Sequence, residues 1–509
     1  MSAAPPRSGF RDSLFNPGEF TLTFELVPSR GGKSTGQSRI LDLASAAAAD
    51  GRLHAVSITE NAGGHPVLSP EVLGVEIQAM GLDVIAHFSC KDKNRNQMES
   101  LLFAWDRIGL RNLLVLTGDY PQKGFMGHPK PVFDLDVVQA LDLIGLLNQG
   151  RDSESPPQSS PRHHPAGFLR GVAVSPFKRL AAEQILQYQK LRGKIAAGAD
   201  YAITQLGYDA RKFHELLLFL RQAGLAIPIL GNVFVPNPPV IEMLRRGEIP
   251  GCHLPDRVYH QMKDETSAPD RGKGARLLRA ARLAAILKGM GYDGVHIGGP
   301  GLTSTDLAFI LHEAAAHEGD WQSLIPQFDS GLPETAYLYE RDDQSGLNLP
   351  VGRPLPLTRH LHSPHFHFAR LSHDHMFEKD GLLYLPMKAF CLGVEKIGDE
   401  AMLVAIEHFI KMLLFGCQNC GDCRLADFAF LCPQSECAKF LFNGPCGGSL
   451  DGWCEVHPGT KRCFFLRVLE RLPPGLLEES LASRRLPPRE WLFDQRSTWI
   501  RFFKEMESH

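Results

Sequence analysis

The chain of 509 residues has no uninterrupted apolar run of the roughly 18 residues that a membrane-crossing helix needs, so no membrane partner is expected. Neither sign of charge dominates: 54 Lys and Arg against 57 Asp and Glu leave a net charge of −3 at pH 7, which gives nucleic acid and anionic lipid no electrostatic reason to bind. The opening stretch, MSAAPPRSGFRDSLFNPGEF, lacks the continuous apolar core of a secretion signal, and a cytoplasmic location is the expectation. Cysteine is scarce before residue 417, where only Cys90, Cys252 and Cys391 occur, so no disulfide framework runs through the body of the chain.

The other eight cysteines crowd into one stretch: Cys417, Cys420, Cys423, Cys432, Cys437, Cys446, Cys454 and Cys463, spaced C-x2-C-x2-C-x8-C-x4-C-x8-C-x7-C-x8-C. Thiolates at two-residue spacing converge on one point, which suits a metal ion or an iron–sulfur cluster. Eight thiolates suffice for two four-thiolate sites, so two [4Fe–4S] clusters are expected. Two zinc sites, or one zinc and one cluster, remain open, although the long later spacings fit paired zinc knuckles poorly. The spacing does not assign cysteines to individual sites.

A chain this long exceeds one ordinary core. Its hydrophobic fraction of 43% and charged fraction of 22% belong to a globular protein. The first 320 residues alternate short apolar runs with helical patterns. The expected strands are Thr21–Pro28, Ala55–Glu60, Asp83–Cys90, Asn112–Gly118, Gly171–Pro176, Tyr201–Gly207, Pro228–Val235 and Gly294–Gly299. Helical patterns such as Glu183–Ala197 and Ala210–Ala223 lie between them. Eight β-then-α units predict an α/β fold, a (β/α)8 TIM barrel, over residues 1–320. A doubly wound sheet is the alternative, but the turn Pro28-Ser29-Arg30-Gly31-Gly32-Lys33 is no G-x-G-x-x-G phosphate loop.

Arg151–Pro165 (RDSESPPQSSPRHHP) is expected to be a disordered loop insertion. Residues 321–380 read as an irregular linker, and 381–509 as a smaller cysteine-rich redox domain introduced by a helix at Gly398–Phe415. Histidines 360, 362, 365, 367, 373 and 375 invite a metal reading, but a polar linker packed on the barrel explains them more simply.

In such a barrel the chemistry sits at the C-terminal ends of the strands. Polar candidates there are Glu25, Thr59, His87, Asp119, Gln205 and His296. Glu25 stands out, because a carboxylate inside the apolar run TLTFELVP is costly unless used or paired. The runs Phe24-Glu25-Leu26-Val27-Pro28, Val56-Ser57-Ile58-Thr59, Ala86-His87-Phe88-Ser89, Leu116-Thr117-Gly118-Asp119 and Ala197-Gly198-Ala199-Asp200-Tyr201-Ala202-Ile203-Thr204-Gln205 together resemble the 5,10-methylenetetrahydrofolate reductase family. The resemblance covers about residues 15–320. Asn419-Cys420-Gly421-Asp422-Cys423 and Asn443-Gly444-Pro445-Cys446-Gly447-Gly448 resemble a cysteine-rich C-terminal domain that accompanies some bacterial reductases of this family.

The resemblance implies reduction of 5,10-methylenetetrahydrofolate to 5-methyltetrahydrofolate by a bound flavin, FAD or else FMN. It implies Glu25 as general acid, Asp119 near flavin and folate, Gln205 on the pterin, and Thr59, His87 and Lys194 on the flavin, with backbone around Gly118, Ala173 and Ile203 completing the pocket. Gln187, Lys190 and Gly193 stand where the family has other polar partners for the phosphate and adenosine side. Electrons are expected from NAD(P)H, ferredoxin or a partner dehydrogenase. The competing functions are a flavin-free pterin-binding methyltransferase and a non-catalytic scaffold with a zinc-folded docking tail.

Overall fold

A computed structural model describes residues 9–151, 161–354, 364–472 and 485–505. Eight parallel strands close into a barrel in the order β1 to β8: Thr21–Leu26, Ala55–Ile58, Asp83–Ser89, Asn112–Leu116, Leu169–Val174, Tyr201–Thr204, Ile229–Phe234 and Gly294–Gly298. The eight expected strands and the TIM barrel are therefore present; β5 begins two residues earlier than its expected start.

The helices follow in chain order. First come α1 (Phe10–Phe15), α2 (Thr35–Asp50), α3 (Pro70–Ala79), α4 (Arg95–Arg107) and α5 (Val137–Asn148). Next are α6 (Ala181–Ala196), α7 (Ala210–Gln222), α8 (Pro238–Arg245), α9 (Asp256–Glu265), α10 (Lys273–Met290) and α11 (Ser304–Ala316). Beyond the barrel lie α12 (Trp321–Leu324), α13 (Pro364–Met376), α14 (Tyr384–Ile397), α15 (Glu400–Phe415), α16 (Pro433–Glu436) and α17 (Phe464–Arg471). Among the described residues no helix is long and apolar enough to cross a membrane.

Local chemistry sets these boundaries. The Ser34 hydroxyl accepts from Gln37 N at the start of α2, and Asp136 and Gln139 form a capping box at the start of α5. Strand side chains alternate between two surfaces. Phe24, Val56, Val84, Leu113 and Val172 face the helices in the main core. Ala55, Ile85, Leu114, Leu169, Tyr201 and Leu230 fill the lower barrel interior, where Phe10 and Leu14 of α1 pack against them. That apolar floor leaves the polar residues of the upper interior at the C-terminal mouth.

The stretch expected as an irregular linker holds regular structure. Strands β9 (Tyr339–Arg341) and β10 (Asn348–Gly352) pair antiparallel. This segment is tied to α7: Arg211 meets Glu334 at 2.7 Å, and Leu338 N donates to Glu215 Oε2 at 2.6 Å. Histidines 365, 367, 373 and 375 lie on α13, not on an extended segment, while 360 and 362 are outside the described residues. The expectation that this run packs on the barrel is corrected: His365 Nε2 meets Leu414 O at 2.7 Å, and the Phe366 and His373 rings contact Phe430, so α13 packs on the tail. The physical reason is the aromatic face that Phe366 gives α13. Of the insertion expected at Arg151–Pro165, residues 152–160 are outside the described residues.

Candidate active site

In the upper barrel interior, Glu25 stands in register with Ser57, and both Thr23 and Asn232 with His296. Thr59, Gly118 with Asp119, and Gln205 follow the ends of β2, β4 and β6. Glu25, Thr59, His87, Gly118, Asp119, Ala173, Lys194, Ile203 and Gln205 all line one open chamber of about 310 Å³. An outer groove of about 1600 Å³ adjoins it, and Glu25, Asp119, Gln205 and Glu455 line both. The site thus has two compartments with three of the expected residues on their shared border.

Gly118 takes φ 84°, and a Cβ there would meet Lys91 Cδ at 2.9 Å. The close turn carries Asp119 into the chamber, where its carboxylate accepts from Gly63 N at 2.7 Å and ties the loop after β2 to the end of β4.

Several buried polar atoms of the chamber lack a hydrogen-bond partner within the protein: Thr59 Oγ1, His87 Nε2, Ser175 Oγ and Asn232 Oδ1. Buried polar atoms are normally satisfied, and each orphan costs about 1–3 kcal/mol. Such orphans, with Ser89 Oγ among them, around one chamber fit a polar ligand with donors and acceptors on several edges, as a flavin or a pterin has. Burial lowers the His87 imidazole to about 4, an effect opposed by Glu25 and reinforced by His296, so His87 is neutral at pH 7.

His296 lies beneath Glu25 and is almost fully buried. Its Nδ1 is 2.8 Å from Thr23 Oγ1, whose hydroxyl also reaches Val295 O at 3.2 Å. With that hydroxyl donating to the carbonyl, Nδ1–H donates to Oγ1. Nε2 then accepts from Ser57 Oγ at 3.3 Å in the neutral ring, or faces Glu25 Oε2 at 3.9 Å as N–H in the imidazolium. For Glu25, burial raises the carboxyl, but His296 and His87 outweigh it and hold the group below its ordinary value. Burial alone would make Glu25 easier to protonate; its neighbours favour the carboxylate instead.

Lys194 projects from α6, and its Nζ donates to Ala173 O at 2.6 Å. Burial, then repulsion from Lys190, lowers its ammonium to about 7. An anionic group beside it would restore the charge.

The tail forms one wall of the chamber. Lys439, Cys446, Gly447, Gly448 and Glu455 line it together with the strand ends. Lys439 Nζ donates to Gly118 O at 2.7 Å and pairs with Glu455. Lys178 Nζ donates to Gly447 O and Ser449 O, both at 2.5 Å, and Lys190 Nζ to Gly444 O at 2.9 Å. Asp136, the N-cap of α5, accepts from Asn443 N at 2.8 Å and Asn443 Nδ2 at 2.9 Å. Gly444 has φ 100°, and a Cβ there would meet Lys190 Cδ at 3.1 Å, so glycine lets the loop lie against α6.

The eight clustered cysteines are free thiols around two cavities. Cys417, Cys420, Cys423 and Cys432 line one; Cys437, Cys446, Cys454 and Cys463 line the other. Among the described residues, no three His, Cys, Asp or Glu side chains are grouped closely enough to hold a single metal ion. Backbone N–H groups point at the sulfurs: Asn419 N to Cys417 Sγ at 3.3 Å and Gly448 N to Cys446 Sγ at 3.4 Å. Such bonds tune cluster potentials.

Four site residues carried no role from the sequence. His296 was visible at a strand end without an assignment. Asn232 had a signal, a lone amide inside the apolar run PILGNVFV. Lys439 and Glu455 had none, because only folding of the tail brings them to the barrel.

Residues 11–298, more than half of the chain, match the family model described as methylenetetrahydrofolate reductase, and residues 397–492 match the one described as methylene-tetrahydrofolate reductase C terminal. Methylenetetrahydrofolate reductase 1 of Schizosaccharomyces pombe is 26% identical over 277 residues, covering 52% of this chain and 41% of that protein. The 5,10-methylenetetrahydrofolate reductase of Pectobacterium carotovorum is 30% identical over 133 residues, covering 26% of this chain and 37% of that protein. The chain thus spans about two fifths of the curated relatives it matches. A solved structure described as an uncharacterized protein from Clostridium thermocellum that binds two copies of 5-methyl-5,6,7,8-tetrahydrofolic acid covers 61% of this chain at 10% identity and a TM-score of 0.43.

Proposed function

The chain belongs to the methylenetetrahydrofolate reductase family, and from that premise we propose that it reduces 5,10-methylenetetrahydrofolate to 5-methyltetrahydrofolate. The observation that carries this reading is the border of Glu25, Asp119 and Gln205 between an inner chamber with several orphaned polar atoms and a larger outer groove. The inner chamber suits a flavin and the outer groove a folate with its long tail. When bound, the flavin supplies a hydride and the tail's clusters supply single electrons.

The roles of the chain's own residues follow from their chemistry. The methylene carbon becomes electrophilic once the leaving nitrogen is protonated, and Glu25 is the carboxyl on the border that can deliver a proton. The His296 ring beside Glu25 favours its carboxylate form. The acid form therefore requires a proton delivered to the carboxylate in the substrate complex. Asp119 places negative charge where an iminium develops and stabilises it. Gln205 offers an amide to the pterin edge, and Lys194 a cation to a phosphate. His87, neutral, and Thr59 offer hydrogen bonds without charge.

The resemblance implies FAD, while the tail loop favours FMN: it covers the Gln187 and Lys190 side of α6, where the family places the adenosine half. Chromatography of the flavin released on denaturation decides between them. The proposed division is a barrel to about residue 320, a link to about 380, and a cysteine-rich redox domain beyond. The test of the activity is anaerobic: flavin reduced in the full-length protein is mixed with 5,10-methylenetetrahydrofolate. Flavin reoxidation with stoichiometric 5-methyltetrahydrofolate is expected; a reduced flavin that persists overturns the reading.

A further inference from the structure

We propose that the tail holds two separate cluster sites built from consecutive quartets, and that they form an ordered relay into the chamber. The outer site is Cys417, Cys420, Cys423 and Cys432; the inner is Cys437, Cys446, Cys454 and Cys463. This rests on the iron–sulfur part of the proposed function and goes beyond it, because neither spacing nor family resemblance groups the cysteines or orders the sites.

Three observations carry it. Each cavity is lined by four cysteines, and no cysteine lines both. The inner cavity shares Cys446, Lys439 and Glu455 with the barrel chamber, so one thiolate of the inner site is part of the chamber wall. The outer cavity shares none of its lining with the chamber, and its Cys423 is exposed. One site therefore faces the flavin compartment and the other faces solvent.

The sites are also adjacent. Cys432 caps the start of α16 and Cys437 its end. At a helical rise of 1.5 Å per residue, their backbones are separated by about 7.5 Å along the axis. One ligand of each site is thus joined by a single helical turn, which suits direct electron transfer between neighbouring clusters.

The electron balance is simple. A one-electron carrier protein gives two electrons in succession to the outer site, and two carrier molecules are oxidised. Each electron passes through the inner site to the chamber, where two electrons and protons from solvent reduce one flavin. Neither cluster gains or loses charge over the cycle.

Paired substitutions test the grouping through metal content. Full-length protein purified anaerobically should hold about eight iron and eight sulfide, four per cluster. Cys420→Ser with Cys432→Ser should keep about half, and so should Cys446→Ser with Cys454→Ser. Cys432→Ser with Cys446→Ser, which touches both quartets, should keep almost none. Where a paired variant fails to fold, single Cys423→Ser at the exposed ligand and single Cys454→Ser give the same reading, each losing half. The inner substitutions should also change the visible circular dichroism of bound flavin, and the outer ones should not. Iron retained at half in the cross-quartet pair, or flavin dichroism that follows the outer pair, overturns the relay while leaving a cluster protein. Stoichiometric zinc with no iron in the unmodified chain overturns the cluster reading itself.

Discussion

In the barrel, most polar groups of the site hang from a strand or strand end whose register is fixed by a neighbour on either side: Glu25 opposite Ser57, Asn232 opposite His296. In the tail, the eight cysteines hang from loops between short helices. The fold there is pinned by buried lysines donating to carbonyls, by the Asp136 carboxylate, and by a small core of Phe428, Phe442, Phe464 and Phe465 packed on Leu186 of α6. The barrel carries its own apolar core. The tail leans on the barrel and on whatever its thiolates hold. Substitutions in the barrel mouth should therefore change chemistry and leave the fold, while substitutions at the contact between the two should change both.

The largest expected effect is chemical. Glu25→Gln should keep the flavin content of the unmodified protein and slow flavin reoxidation by 5,10-methylenetetrahydrofolate about 10²–10⁴-fold, the usual contribution of a general acid. Rapid mixing under anaerobic conditions measures it. A rate within about tenfold of the unmodified protein removes Glu25 from the acid role.

The next effect lies at the contact. Asp136 Oδ1 caps α5, and Oδ2 accepts from three donors of Phe442 and Asn443. Asp136→Ala loses a helix cap worth about 0.5–2 kcal/mol and strands buried donors at about 1–3 kcal/mol each. The tail should become sensitive to protease under conditions where the barrel stays intact, and the chamber, short of one wall, should lose flavin. Equal protection of both regions would mean that the tail does not lean on this carboxylate.

How much of this was legible in the sequence follows the same contrast. The eight strands could be read because each is a short β-rich run closed by a turn, and the barrel then placed Glu25, Thr59, His87, Asp119 and Gln205 at one mouth. Glu25 announced itself as a charge in an apolar strand. Its electrostatics did not, because His296 lies 271 residues away in sequence and meets it only across the closure of β1 with β8. The cysteine count leaves room for two four-thiolate sites, but the division of the eight between two cavities depends on a loop path with no periodicity. The wall made by Lys439 and Glu455 left no local trace. Both look like ordinary surface residues until the tail folds over Gly118.

A smaller effect, sensitive to pH, separates the two lysine environments. Lys194 in the free chamber has its ammonium lowered to about 7 from 10.5, while an unfolded lysine keeps its proton to the ordinary value. Between those limits the unfolded chain binds more protons, so this residue makes the ligand-free fold more stable as pH rises from about 7 toward 10.5. Binding of a phosphate monoester works in the opposite direction, since it favours the ammonium. Affinity for the flavin phosphate should fall above pH 7 by up to about tenfold per pH unit, with proton uptake on binding. Calorimetry in buffers of different ionisation enthalpy reads that uptake. Lys194→Met should remove the uptake and flatten the pH dependence; uptake that persists would assign it to another group.

The smallest effect distinguishes a ligand-facing polar atom from a structural one. Thr59 Oγ1 is buried in the chamber wall with no partner, although its backbone N is bonded to Leu26 O at 3.1 Å. Thr59→Val keeps the branched shape and the strand-end backbone and removes only the hydroxyl. In the flavin-free protein an unpaired hydroxyl costs folding free energy, so its removal should stabilise by about 1 kcal/mol, seen as a small rise in Tm. In the flavin-bound protein the same substitution deletes a hydrogen bond to the ligand and should weaken affinity by a comparable amount. The two signs are opposite only if the hydroxyl waits for a ligand. A structural hydroxyl would lower Tm in both states and leave affinity unchanged. Denaturation of the flavin-free and flavin-bound forms side by side therefore reads the role of this one atom from the sign of a small difference.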